Sequence, residues 1–499
     1  MSRISKHWLP STPSISESSL ILKDAITKTI SNNEFKPSFR LLQDGKIPRL
    51  QHGLSALLTK PGNIKWTHEG FTKVKKVPNI SEQQLTRIQS YTPPSEDSNL
   101  LKAMKPHHLF MGSTSTMTGI LSQIYYLISK KRAVNTDNLS SDFDQKTKRF
   151  TQGASAPVTI LMKKQKVGRN TAWSVDADKS FDRPNILSKL GHVMEYQLTQ
   201  TSEAFEQLIN NKEKAKRESF NLMDVNSMLV RSQLDCYHKN VDKGFFDLKT
   251  RAVLSIRLSV ADHKANTWYK IVKKQGQFLS FEREYYDMIR SAFLKYYFQV
   301  CIGNMAGIFV AYHNTNEIFG FQYIPREELA YRVFGSSALG EAVFANCVQI
   351  AEVILKEMIS DINTPQFTST WYFDKEDLSI FRESVGMRYS RFDFKKLLRP
   401  EQNYNIDTLK MYTVSSNSLL NGEPFIKSNP VHEDVKVDDF VTNLSIIDNE
   451  LPIVDIAAQY KKVKSLEHRV KTGNNSEAVV ALKEQLESEL LNHALNNKP

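Results

Sequence analysis

A chain of 499 residues, 40% of them apolar and 24% charged, has the composition of a soluble globular protein and can bury a large core. Its 66 Lys and Arg outnumber 54 Asp and Glu, for a formal charge of +12, which directs attention to polyanionic partners: nucleic acid or an anionic membrane surface. Cys236, Cys301 and Cys347 are too few and too scattered for a disulfide framework, and no ligand spacing accompanies them, which points to a reducing, non-secretory compartment and argues against a structural zinc site.

Residues 1–36 carry Arg3, Lys6, many serines and no acid before Glu17. They read as a flexible arm, with the alternative of a mitochondrial targeting segment. Residues 37–156 form an N-terminal accessory region containing a turn-rich connection at 87–102 and a polar loop at 133–156. Within it, 109–128 has the length of a membrane span, but its polar residues fit a helix packed in a soluble domain better. Short basic clusters recur at 73–76, 130–132, 146–149 and 163–166.

Residues 157–330 have the strongest pattern. Strands are expected at 157–163 and 171–177. An amphipathic helix is expected over 183–209, where Ile186, Leu187, Leu190, Met194, Leu198, Phe205 and Leu208 follow a 3.6-residue period and Pro184 suits the first turn. The stretches "SMLVRSQLDCYH" and "GFFDLKTRAVLSIRLSV" read as strands joined by the turn "KNVDKG". A second helix is expected over 278–302, then two strands over 306–324 around an Asn-Thr-Asn turn. Helix, two or three strands, helix, strand is the order of an α/β sandwich built on a small mixed sheet. Residues 331–499 are a partly helical C-terminal extension, with an amphipathic helix at 474–497.

The hairpin bears the chemistry. Strand side chains alternate, so Asp247 and Lys249 share one face. Asp235 belongs to the partner strand, and Glu195 to the middle of the preceding helix. Phosphodiester hydrolysis needs charge neutralisation at the phosphate and an activated water, which one or two divalent ions held by carboxylates provide. A lysine can orient the water or stabilise developing charge. Asp176, Asp178 and Asp182 suit capping and turn roles before the helix, and His313 suits a turn.

This arrangement resembles the PD-(D/E)XK nuclease superfamily, whose core runs helix, three strands, helix, strand. The resemblance implies an α/β fold with N- and C-terminal extensions, Glu195, Asp235 and Asp247 as ligands for Mg or Mn, and Lys249 as the remaining catalytic residue. No proline precedes Asp235. Where some exonuclease branches carry Gln-x-x-x-Tyr on the second helix, this chain has Glu282 to Tyr286. Arg231, Arg251, Arg283, Tyr286 and Arg290 are candidates for substrate binding, with surface or salt-bridge duty as the alternative.

A closer resemblance is carried by "VDADKSFDRPNILSKLGHVMEYQLT", "RSQLDCYH", "FDLKTRAVLSIR", "FEREYYDMIRSAFLKYYFQ" and "GIFVAYHNTNEIFGFQYI". These blocks are similar to the fungal mitochondrial RNA 5′-end processing family, the Pet one-twenty-seven family. It implies a 5′→3′ exoribonuclease acting on single-stranded mitochondrial RNA in maturation and turnover. It also implies peripheral association with the matrix side of the inner membrane, and the mitochondrial transcription or RNA-degradation machinery as partner. The alternative is a non-catalytic RNA-binding scaffold at that membrane; three converging carboxylates that repel one another without a metal argue against it.

Overall fold

The computed structural model describes residues 25–42, 46–81, 84, 91–143, 147–180, 186–210, 219–384, 409–425, 435–472, 481–482, 484–486 and 488. The chain begins with β1 (Ile26–Ser31), β2 (Ser38–Leu42) and the short β3 (Lys65–Trp66). Asp97 caps α1 (Ser98–Ala103) by accepting from the Asn99 and Leu100 amides. β4 (Phe110–Ser113) leads directly into α2 (Thr114–Ser129), which is buried from Thr116 onward. β5 (Val158–Val167) and β6 (Asn170–Ala177) form a hairpin close to the two strands expected there.

The helix expected over 183–209 is two helices, α3 (Ile186–Thr199) and α4 (Ser202–Asn210). Thr201 interrupts them, its hydroxyl accepting from the Ala204 amide as a cap for the second. Pro184 and Asp182 lie outside the described residues. β7 (Phe220–Val225), β8 (Met228–Gln233), β9 (Cys236–Tyr237) and β10 (Phe245–Ala252) follow, then the single-turn α5 (Leu254–Leu258). The expected helix over 278–302 breaks at Ala292 into α6 (Phe281–Ser291), capped by Ser280, and α7 (Phe293–Ile302). β11 (Gly307–His313) and β12 (Ile318–Pro325) enclose the Asn-Thr-Asn turn as read from the sequence.

Beyond them come α8 (Arg326–Phe334), α9 (Ser337–Ile359), β13 (Gln366–Asp374), β14 (Asp377–Ser384), β15 (Leu409–Leu420), β16 (Glu423–Pro424), β17 (Phe440–Asp448) and α10 (Ile453–Thr472). α9 is long and apolar enough to cross a membrane, but 83% of its most apolar window is buried in the fold. The 109–128 stretch is β4 and α2, also in the core. The helix expected at 474–497 lies almost wholly outside the described residues.

Two sheets result. The smaller is mixed, in the order β3-β12-β11-β10-β9. β10 and β11 are parallel, Asp247 opposite Ile308 and Lys249 opposite Val310, and α5 to α7 make the crossover between them. One face of this sheet packs on α3, through Leu190, Met194 and Leu198 against Phe246 and Leu248. α7 and α8 cover the other face. With both faces covered, β11 and β12 are buried almost along their whole length, as their apolar runs require. Helix, strands, helices and parallel strand thus form an α/β core on a small mixed sheet, the order expected from the sequence.

The second sheet has twelve strands, in the order β1-β17-β15-β14-β13-β5-β6-β4-β8-β7-β2 with β16 paired to β15. It draws on all four segments marked out in the sequence, including residues 26–31 of the expected flexible arm, which pair with β17. α2 and α9 pack between it and the small-sheet core. The chain passes from the large sheet to the small one at Leu234 and Asp235. β8 pairs with β4 and β7, while β9 pairs with β10.

Candidate active site

That change of sheet places Asp235 where the strand is interrupted. The expected hairpin is therefore kept only at its turn end, with Cys236 opposite Phe246 and Tyr237 opposite Phe245; residues 228–233 pair in the large sheet, and Asp235, expected on the partner strand, lies between the two strands because the chain changes sheet there. The hairpin turn runs through Lys243 and Gly244 with φ of 58° and 77°. A side chain at Gly244 would stand 2.5 Å from the Tyr237 ring, so glycine is demanded twice, by the left-handed backbone and by the close ring.

Asp235 and Asp247 are both buried. Asp235 Oδ2 accepts from the Leu248 amide at 3.0 Å, which ties the acid to the strand bearing the other one. Asp247 Oδ1 accepts from Gln299 Nε2 at 2.7 Å, and its Oδ2 lies 2.6 Å from Lys249 Nζ. Lys249 in turn donates to Gln299 Oε1 at 3.1 Å, with its ammonium 5.2 Å from the Tyr296 ring centre. One amide therefore bridges both partners of the Asp-x-Lys pair. Glu195 projects from α3 and lines, together with Asp235, a cavity of about 720 Å³.

Burial, then the charges of Glu195 and Asp247, push the Asp235 carboxyl well above the ordinary carboxylate range; Lys249 and the Leu248 amide pull the other way. Burial works against the Lys249 ammonium, yet Asp247 and Asp235 hold its pKa above the usual lysine value. Three carboxylates against one ammonium leave two uncompensated negative charges when all are ionised. All-oxygen donors with that excess suit a hard divalent cation such as Mg or Mn, so the residues present fit such an ion.

Gln299 was not singled out in the sequence. Its signal there is slight, a lone uncharged amide in the apolar, aromatic run "FLKYYFQVCI". Of the substrate candidates, Arg251 shares the face of β10 with Asp247 and Lys249 by alternation. Its Nε is buried and without a hydrogen-bond partner among the described residues, and burial with the neighbouring Arg257 draws its guanidinium down to about 10.

The others are engaged elsewhere. Arg231 pairs with Asp97 and donates to Thr92 O. Arg283 donates to Asp287 at 3.1 Å, Tyr286 to Thr147 O at 2.8 Å and Arg290 to Arg149 O at 2.9 Å. Glu282 accepts from Ser140 and from the Gly276 amide, anchoring loops. Asp176 binds Ser95 and Lys163, and Asp178 closes a turn with Ser180. Burial lowers His313 to about 3, and its Nδ1 accepts from the Thr315 amide in the β11–β12 turn.

Among the described residues, His107, His108 and Asp224 bring ligand atoms within 4.8 Å of one another, at the large sheet. His108 Nδ1 accepts from the Lys105 amide at 2.9 Å, which leaves its proton on Nε2, facing Asp224 Oδ1 at 3.0 Å. Lys105 Nζ lies 2.7 Å from the other Asp224 oxygen. That cluster is a satisfied ionic network without a free ligand set.

Among solved structures, Scheffersomyces stipitis Rai1 aligns over 76% of this chain and 97% of its own, with 12% identity and a TM-score of 0.34. K. lactis Dxo1 in complex with manganese aligns over 74% and 95%, with 10% identity and a TM-score of 0.36. Two fungal proteins are each 37% identical. PET127 of Saccharomyces cerevisiae, described provisionally as a mitochondrial translation system component, aligns over 330 residues. The mitochondrial mRNA degradation protein pet127 of Schizosaccharomyces pombe aligns over 335. These alignments take in 60% and 62% of this chain but only 40% and 62% of the two relatives, less than two thirds of either. The family model described as mitochondrial protein Pet127 matches residues 91–356, more than half of the sequence, and the chain belongs to that family.

Proposed function

We propose that this chain is a divalent-metal-dependent nuclease that removes nucleotides from the 5′ end of single-stranded mitochondrial RNA. The observation that carries this reading is the cluster at the β9–β10 hairpin: two buried acids, a lysine paired to one of them, a glutamine bridging that pair, and Glu195 at the same cavity. The Schizosaccharomyces relative, named for mitochondrial mRNA degradation, supports the substrate and the compartment. In this reading the protein associates peripherally with the matrix side of the inner membrane, and the apolar α9 is committed to the core. The transcription or RNA-degradation machinery of the mitochondrion is the partner in this reading.

In this mechanism Glu195, Asp235 and Asp247 would hold Mg or Mn, which when bound would supply charge neutralisation at the phosphate and activation of water. Lys249, kept charged by Asp247 and oriented by Gln299, donates to the attacking water and offsets negative charge developing on the phosphoryl oxygens. Arg251, next on the same strand face, holds a phosphate of the substrate strand by a forked pair of N–H donors. The apolar residues beneath the hairpin, Phe246 and Leu248, keep water from reaching the acids from behind.

The test is a time course on purified protein with 5′-labelled, 3′-labelled and circular RNA, in Mg, in Mn and in EDTA. Early release of the 5′ label, a resistant circle and no cleavage in EDTA are expected. Cutting of the circle would make the protein an endonuclease, early release of the 3′ label alone would reverse its polarity, and no cleavage of any substrate would leave the scaffold reading.

A further inference from the structure

The cavity that holds Glu195 and Asp235 is closed on one side by a segment of the N-terminal region that no sequence motif marked. Residues 46–51 cross between the two elements that carry those acids. The Gln51 amide donates to Leu198 O at 2.9 Å, one turn beyond Glu195 on α3. The Tyr237 amide donates to Pro48 O, also at 2.9 Å, two residues beyond Asp235. A ring bond from His52 to Gln197 O at 3.1 Å fastens the far end. Main chain is thus pinned at Pro48 and at Gln51 along the flank of the acid site.

Charge is segregated in the cavity. The acids come from α3 and the β8–β9 junction, and the two cations of its lining, Lys46 and Arg49, both come from the strap. Both are exposed, and neither forms an ion pair with a described carboxylate. Arg49 stands 5.5 Å from the centre of the Tyr237 ring, the ring seated over Gly244. A volume of about 720 Å³ has room for a terminal nucleotide.

We propose that Lys46 and Arg49 form the subsite for a terminal phosphate monoester at the RNA 5′ end, with the 46–51 strap as the stop against which that end abuts. A monoester carries about −1.5 to −2 charge near neutral pH, against one charge on an internal diester. Two cations without a carboxylate partner among the described residues, one a guanidinium with paired donors, match the monoester better. The Tyr237 ring gives the first base an apolar, π-bearing surface whatever its identity. The assignment rests on the nuclease reading for its substrate class, and accounts for end recognition when Arg231, Arg283 and Arg290 are occupied elsewhere.

The test reads binding, so that it does not depend on hydrolysis. Anisotropy titrations in EDTA compare one labelled RNA oligonucleotide bearing a 5′-phosphate, a 5′-hydroxyl, or a phosphate on the 3′ end only. The full chain should bind the 5′-phosphate form about tenfold more tightly than the 5′-hydroxyl form. That preference should fade as pH falls below about 6, where the monoester dianion takes up a proton and becomes a monoanion. The Lys46→Gln/Arg49→Gln double variant should lose the preference, and Arg49→Lys should keep part of it. Unchanged thermal melting of these exposed-site variants checks the fold. No preference in the wild-type chain, full preference in the double variant, or equal preference for a 3′-phosphate each overturns the subsite. A chain that discriminates ends but cleaves nothing would retain the subsite and remove the nuclease reading.

Discussion

Replacing Lys249 by Met isolates the electrostatics of the Asp-x-Lys pair. Asp247 is fully buried, and its carboxylate has two charge-stabilising contacts: the 2.6 Å approach of Lys249 and the 2.7 Å hydrogen bond from Gln299. Removing the ammonium leaves one of them, and breaking a buried pair in this way costs about 3–5 kcal/mol. Urea unfolding followed by tryptophan fluorescence in EDTA should therefore show a loss of that size for Lys249→Met. The Asp247→Asn/Lys249→Met double variant should recover most of it, because it removes the buried charge together with its partner. A loss below about 1 kcal/mol, the size of an exposed ion pair, would refute the buried-pair account of this site.

Asp235→Asn should stabilise the metal-free protein relative to wild type. The folded-state pKa of Asp235 is raised, so its unfavourable contribution is absent below the ordinary carboxylate pKa and grows as pH rises toward the folded value. Parallel urea curves from pH 4 to 8 should diverge with rising pH, and curves that stay superimposed would contradict it. Gln299→Met should slow cleavage by about 10–100-fold, as loss of a partner that orients ligands does, while RNA affinity in EDTA holds. Calcium should support RNA binding but not hydrolysis, because its looser coordination misplaces the water, and binding should weaken steeply with salt; cleavage without any divalent ion would count against the scheme. Trp371→Ala, in a β13 residue that is fully buried, should cost about 3–5 kcal/mol, and a smaller loss in unfolding experiments would mean that the large sheet is not integral to the core.

The local features of the site were legible in the sequence because they depend on near neighbours. Alternation along a strand puts Asp247 and Lys249 on one face whatever else the chain does, and Lys-Gly at 243–244 closes a tight hairpin for reasons internal to the turn. The apolar period of 186–198 and the turn at 314–316 were readable on the same basis. What depends on distant partners was not. Basic side chains look alike in sequence, and only folding shows that Arg231 meets Asp97, 134 residues away, while Arg251 keeps a buried Nε without a hydrogen-bond partner among the described residues. The same holds for the breaks at Thr201 and Ala292, for the twelve-stranded sheet assembled from residues as far apart as 26 and 448, and for Gln299, which reaches Asp247 across 52 residues. Asp235 owes its raised pKa to burial and to two acids that tertiary packing brings to it. The strap at 46–51 acquires a role only because two backbone hydrogen bonds lay it across a cavity formed by residues roughly 150 to 190 positions further along the chain.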